Sequence, residues 1–322
     1  MQMTESKREI TICDMSDFLS NDAEKQQQFV SRMGYALKDI GFFALTNHGI
    51  PLPEITLAYS ESEKFFSHSH EVKLGYEQRT INRQRGFTSF GIEHAKGNDA
   101  PDLKEFWQTG RTLSPDHKNF ETYPENIWPK KECPEFEDAI DGLYQKMESL
   151  SRKLLDAASL YLGREESWLS NMAIDGNTIM RMIHYPTISD DADPASVRSA
   201  EHEDINLITL LVGASADGLQ VMDNDGSWIS VAANHDHIIV DSGDMLQNIT
   251  NGLFKSTTHR VINPDDSRDA RYSMPMFVHP RDEVDLTPDP GFVALTGGVP
   301  LYESITAGEY LLQRLKEIGL TS

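Results

Sequence analysis

The residues of this chain best suited to chemistry are His202, Asp204 and His259. In an extended segment, residues two apart project to one face, so His202 and Asp204 converge while Glu203 points away. His259 comes far enough along to return on a separate strand and supply a third ligand. Two neutral imidazoles and one carboxylate on one side of a metal leave open positions of the kind iron(II) oxygen chemistry uses. Further on, Arg271 and Ser273 would share a strand face, where a guanidinium fork and a hydroxyl can grip one carboxylate. A surface ion pair beside an ordinary strand serine is the competing explanation of that pair.

Other tempting residues weigh less. His235-Asp236-His237 could offer two imidazoles on one strand face but lacks a matching third ligand, so a structural or surface role is expected. His68-Ser69-His70 sits at a helix end and should be solvated, and His48 should fix a turn. Asp223-Asn224-Asp225-Gly226 resembles a calcium loop, but its glycine comes two positions too early. An Asp-Gly between two strand-like runs is a hairpin turn instead.

The elements that must position these groups change character along the chain. Helical periodicity covers Asp22–Ile40, Pro53–Phe66 and, most strongly, Pro134–Leu162, where Phe136, Ile140, Leu143, Met147, Leu150 and Leu154 form one stripe. Short strands are expected at Ile10–Ile12 and Phe42–Thr46. Residues 80–129 read as irregular loops. Seven short β-like runs follow: 178–185, 206–212, 219–222, 228–231, 237–240, 259–262 and 271–278. Runs spaced so closely argue for an antiparallel sandwich or barrel. A last helix spans about 307–318, opened by a Thr306/Glu309 capping box.

Composition narrows the function classes. With 29 Lys and Arg against 51 Asp and Glu, the formal charge is −22, which repels polyanions and disfavours nucleic-acid partners. No apolar run approaches the ~20 residues of a membrane span, so no membrane partner is expected. Two distant cysteines make no disulfide scaffold, and a reducing cytoplasm is the expected setting. No linker separates the halves.

Taken together, several ordered motifs resemble the iron(II)/2-oxoglutarate dioxygenases of the isopenicillin N synthase-like family. They are His202-Glu203-Asp204, Gly243-Asp244-Met245-Leu246-Gln247, Thr250-Asn251-Gly252, Ser256-Thr257-Thr258-His259-Arg260-Val261 and Arg271-Tyr272-Ser273. Upstream, Gly41-Phe42-Phe43, Asn47-His48-Gly49-Ile50 and His184-Tyr185-Pro186 extend the resemblance to roughly residues 8–318. It implies a mainly β fold with flanking helices around a double-stranded β-helix, or jelly-roll, core. It also implies iron(II) on His202, Asp204 and His259, with 2-oxoglutarate held through Arg271 and Ser273 and a further hydrogen bond from Tyr185. Dioxygen is the other cosubstrate, and ascorbate an accessory reductant. Many members carry Asn two positions before that tyrosine; here it is Ile183, so the polar contact from that position is lost.

The resemblance further implies oxidation of a small organic molecule with release of succinate and carbon dioxide. Hydroxylation is the default outcome; desaturation, cyclisation and ethylene formation occur in similar proteins. Along the chain, residues 1–130 would supply an N-terminal region and pocket-covering loops, 131–176 a long packing helix, 177–285 the core and 286–322 a C-terminal extension. These are expected to form one cooperative unit, a monomer or weak homodimer. Substrate contacts are sought at Arg85, Phe87, Phe106 and Arg181, with Arg83, Thr88, Glu93 and Trp107 as neighbours in the irregular segment. Two competitors remain: an iron oxidase independent of 2-oxoglutarate, in which the same Arg and Ser anchor substrate, and a non-catalytic metal- or ligand-binding jelly roll.

Overall fold

The computed structural model describes residues 8–92, 103–118, 120–187, 198–213, 217–232, 234–262 and 270–317. Among the described residues, twelve strands form two sheets. They are β1 (Thr11–Asp14), β2 (Phe42–Thr46), β3 (Gly86–Thr88), β4 (Glu105–Gly110), β5 (Ile179–Tyr185) and β6 (Ser199–His202), followed by β7 (Ile208–Val212), β8 (Leu219–Met222), β9 (Trp228–Val231), β10 (Ile238–Ser242), β11 (His259–Val261) and β12 (Arg271–Val278). The larger sheet runs β1-β2-β10-β7-β12-β5-β4-β3 and the smaller β6-β11-β8-β9. Apart from the parallel β1–β2 pair, every pairing is antiparallel. The two antiparallel sheets with flanking helices form the expected jelly-roll core.

The core lies between the larger sheet and the long helix Phe136–Tyr161. Phe136, Ile140, Leu143, Met147, Leu150 and Leu154 are all buried there, as the stripe demands. The helix Ala23–Asp39 packs beside it under an Asp22 cap. At the other end of the chain, Thr306 and Glu309 bond reciprocally, Glu309 carboxylate to Thr306 N–H and Thr306 hydroxyl to Glu309 N–H, and open the helix Ala307–Glu317. Asp223–Gly226 turns the β8–β9 hairpin, with Gly226 at φ +81°.

The irregular reading of residues 80–129 needs correction: β3 and β4 lie there and form one end of the larger sheet. All six residues of β4 are buried, so the strand has no alternation to betray it. It carries buried polar groups because partners are at hand. Lys73 Nζ lies 2.6 and 2.8 Å from the Glu105 carboxylate oxygens, and His184 Nδ1 lies 2.8 Å from one of them. The sheet therefore crosses the divisions expected along the chain, drawing strands from both the N-terminal region and the core.

Candidate active site

His202 closes β6 and His259 opens β11, and these residues face each other directly across the two antiparallel strands. Asp204 follows β6 by two residues. Its carbonyl accepts the Asp244 N–H at 2.8 Å, tying the turn to the residue after Gly243. At Gly243 a Cβ would fall 2.4 Å from the Asn206 carbonyl oxygen, so the close approach requires glycine.

The ligand atoms of His202, Asp204 and His259 all lie within 4.8 Å of one another, with imidazole Nε2 atoms 3.9 and 3.8 Å from Asp204 Oδ1. Each ring is held by its other nitrogen: His202 Nδ1 lies 2.7 Å from the Ala200 carbonyl, and His259 Nδ1 lies 3.1 Å from that of Thr257. A carbonyl only accepts, so both Nδ1 atoms carry the proton and both Nε2 lone pairs turn toward the carboxylate. The Thr209 hydroxyl donates to Asp204 Oδ2, leaving Oδ1 toward the imidazoles. Burial, then the neighbouring His259 ring, pushes the His202 pKa down to about 4, so its imidazole is neutral near pH 7. Two imidazole nitrogens and a carboxylate oxygen, each side chain oriented by a further hydrogen bond, fit a divalent cation such as iron(II).

These residues line a cavity of about 360 Å³. The larger sheet supplies one wall. Arg271 and Ser273 of β12 pair with Tyr185 and Ile183 of β5, and the Arg271 guanidinium carbon sits 5.1 Å above the Tyr185 ring. Arg271 and Ser273 are buried, at 1% and 3% exposure, which suits a desolvated carboxylate site. Apolar Ile183, Leu219 and Val261 also line the cavity, the first from the larger sheet and the other two from the smaller. Buried Asp241 also faces the cavity; desolvation, then the Asp204 charge, raises its pKa well above the usual carboxylate range.

The residues sought as substrate contacts separate. Arg181 lines the main cavity and a smaller one of about 80 Å³ beside it; its guanidinium lies 4.3 Å from the Phe106 ring centroid, and Nε donates to Gln108. Phe106 lines the smaller cavity alone. Arg85 also reaches only that cavity. It is fully buried against Gly110, where a Cβ would fall 2.2 Å from Nη2, and its Nη1 donates to the Gln84 carbonyl. Phe87 lies outside both cavities, packed on Phe65 with Lys73 over its ring. Trp107 likewise belongs to the aromatic core, against Phe65 and Phe136. Arg83 pairs with Glu77, and Arg83 and Thr88 line the smaller cavity. Glu93 lies outside the described residues. Sequence reasoning passed over Thr209, His279, Leu311 and Leu315, although His279 extends the alternation of β12 and the two leucines are four apart on a helix.

Among the described residues, His202, Asp204 and His259 are the group of three or more His, Cys, Asp or Glu able to converge on one ion; His235 and His237 form no such group. His48 accepts the Ile50 N–H through Nδ1, a turn contact. His68 lies near Cys133 rather than wholly in solvent, Nε2 to Sγ 3.8 Å. No helix of the described residues is long and apolar enough to cross a membrane.

Residues 10–131 match the family described as non-haem dioxygenase in morphine synthesis N-terminal, and residues 176–280 match the 2OG-Fe(II) oxygenase superfamily. The chain is 30% identical over 275 residues to the 2-oxoglutarate-Fe(II) type oxidoreductase hxnY of Emericella nidulans, covering 83% of this chain and 78% of that one. It is 30% identical over 322 residues to proline hydroxylase buaE of Petromyces alliaceus, covering 95% and 98%. Among solved structures, a full-length Neurospora crassa protein in complex with alpha-KG superposes with a TM-score of 0.85 at 28% identity, covering 98% of this chain and 99% of that one. With both halves matched and a 30% identical relative spanned over 98% of its length, this chain belongs to the 2OG-Fe(II) oxygenase superfamily.

Proposed function

We propose that this protein hydroxylates a small organic substrate, with iron(II) held by His202, Asp204 and His259 and 2-oxoglutarate held by Arg271, Ser273 and Tyr185. The observation that carries the reading is one cavity lined both by the facial cluster and by a buried Arg-x-Ser pair. When bound, iron(II), 2-oxoglutarate and dioxygen would together supply the chemistry, one oxygen atom of O2 entering succinate as carbon dioxide leaves and the other going to the substrate C–H bond. The chain's own part is orientation and exclusion of water. Arg271 and Ser273 fix the distal carboxylate and so select a diacid of the right length. Ile183, opposite Ser273 in the sheet, adds an apolar side chain there, and the carbonyl locks on His202 and His259 hold their rings in place.

The end of the cavity lined by residues it shares with the smaller one takes the substrate. Arg181 with its aromatic neighbours forms its wall, and Leu311 and Leu315 of the C-terminal helix line the same space. One relative is named a proline hydroxylase, and the Neurospora crassa protein was also solved with thymine. Both names describe small ring compounds, and we place this protein's substrate in that size class. A reducing cytoplasm suits Cys13 and Cys133, both buried and free.

The test is anaerobic titration of the iron(II)-loaded protein with 2-oxoglutarate, following the visible charge-transfer band. The expected result is a saturable band that Arg271→Ala abolishes or shifts to far higher 2-oxoglutarate. Bound iron with no band would overturn the cosubstrate assignment.

A further inference from the structure

The cavity-facing row of β12 runs Arg271, Ser273, Pro275, Phe277, and His279 prolongs it just beyond the strand. His279 lines both cavities at their junction, yet is only 6% exposed. Its Nδ1 lies 3.2 Å from the Phe277 carbonyl, so Nδ1 carries the proton and Nε2 keeps a lone pair. That bond is the one the ring makes among the described residues, leaving Nε2 without a donor. Burial pushes the pKa down to about 4, so the ring is a neutral acceptor at physiological pH. The backbone beneath is fixed: at Gly176 a Cβ would fall 2.1 Å from the His279 carbonyl oxygen. A buried acceptor in a cavity calls for a ligand N–H or O–H, a place water fills until the ligand displaces it.

Arg181 lines the same two cavities and brings guanidinium donors between the Phe106 and Phe277 rings, 4.3 and 5.6 Å from their centroids. The two cavities thus share an acceptor and a guanidinium, the latter held against the Phe106 and Phe277 rings. A substrate carboxylate would suit Arg181 but set its lone pairs against Nε2. A neutral edge, with N–H beside C=O, complements both.

Resting on the function proposed above, we propose that His279 is a substrate-orienting acceptor, and that the substrate presents the edge of a cyclic amide or imide. Its N–H goes to His279 Nε2 and its carbonyl to Arg181.

The test uses the iron(II)- and 2-oxoglutarate-loaded protein under anaerobic conditions. The probes are 2-piperidone, glutarimide and succinimide, each beside its N-methyl counterpart, titrated by calorimetry and by perturbation of the visible band. The N–H compounds should bind, and His279→Leu should weaken them about tenfold while leaving the N-methyl compounds unchanged. His279→Gln, whose amide oxygen can accept at the same reach, should recover the wild-type affinity to within about threefold. A merely structural role would move both members of each pair together and would overturn the proposal. So would an unchanged N–H affinity in His279→Leu, or no N–H probe binding at millimolar concentration. An absent band strikes instead at the iron and 2-oxoglutarate reading, while the calorimetric pairs still decide for or against His279.

Discussion

Thr209 donates to the outer oxygen of Asp204 and accepts from Asn206 Nδ2 at 2.9 Å, so the carboxylate is held on its far side before any metal arrives. Outer partners of this kind orient a ligand, and their loss typically costs 10–100-fold in metal affinity. Thr209→Val, similar in volume but unable to donate, should weaken iron(II) about tenfold or more in chelator competition while the fold is kept. His279 gives a pH signature. An ordinary imidazole titrates near 6.5, and this one is depressed to about 4 by burial. The unfolded chain therefore takes up the proton first. Stability is full above about pH 6.5 and is lost as pH falls toward 4, by about 3 kcal/mol for this group at most. Urea unfolding at pH 7 and pH 4.5 should show a smaller acid loss in His279→Gln than in the wild type. At this scale the facial cluster was legible because period-two spacing placed His202 and Asp204 on one face. His279 was passed over because the strand was expected to stop at Val278, although its alternation continues one step further. Phe87 was misplaced because an aromatic in a loop-like stretch gives no sign of which side of a sheet it will take.

Among the elements, the long helix was readable from its stripe alone, since helical spacing and burial agree over about seven turns. Leu143, on the buried stripe of that helix and 1% exposed, belongs to the core cluster that also holds Leu210, Met274 and Met276 of the larger sheet. Leu143→Ala should cost about 2–5 kcal/mol in urea unfolding. The C-terminal helix was equally legible, from its capping box. Its Tyr310 hydroxyl and Arg314 both donate to Asp244, at 2.9 and 2.8 Å, which pins Leu311 and Leu315 over the cavity. Thr306→Ala should remove about 1 kcal/mol of cap and raise hydrogen exchange in 307–317 more than in the β core. β4 was illegible for a physical reason. A strand buried on both faces carries no alternation, and its Glu105 reads as solvated until Lys73 and His184 are found around it.

For the whole molecule, 51 acidic against 29 basic residues set up a field that opposes an incoming dianion, and burying Arg271 does not remove it. Raising the ionic strength from ~0.01 to ~0.15 M should therefore speed 2-oxoglutarate association in stopped flow. A marked slowing would mean that local cationic groups govern approach. The charge was readable from the sequence, as was the class of fold, because seven short strands spaced so closely admit few architectures. The way the N-terminal strands complete the larger sheet was not, since such pairing joins segments far apart in the chain. One further consequence lies in the cross-strand pairing of His202 with His259. A slip of one residue between β6 and β11 would turn one imidazole away, so coordination and strand register form a single equilibrium. A cation held at both ends works as a reversible staple across the smaller sheet. Thermal unfolding midpoints should climb with the logarithm of free metal, even for a redox-silent ion such as zinc that supports no turnover.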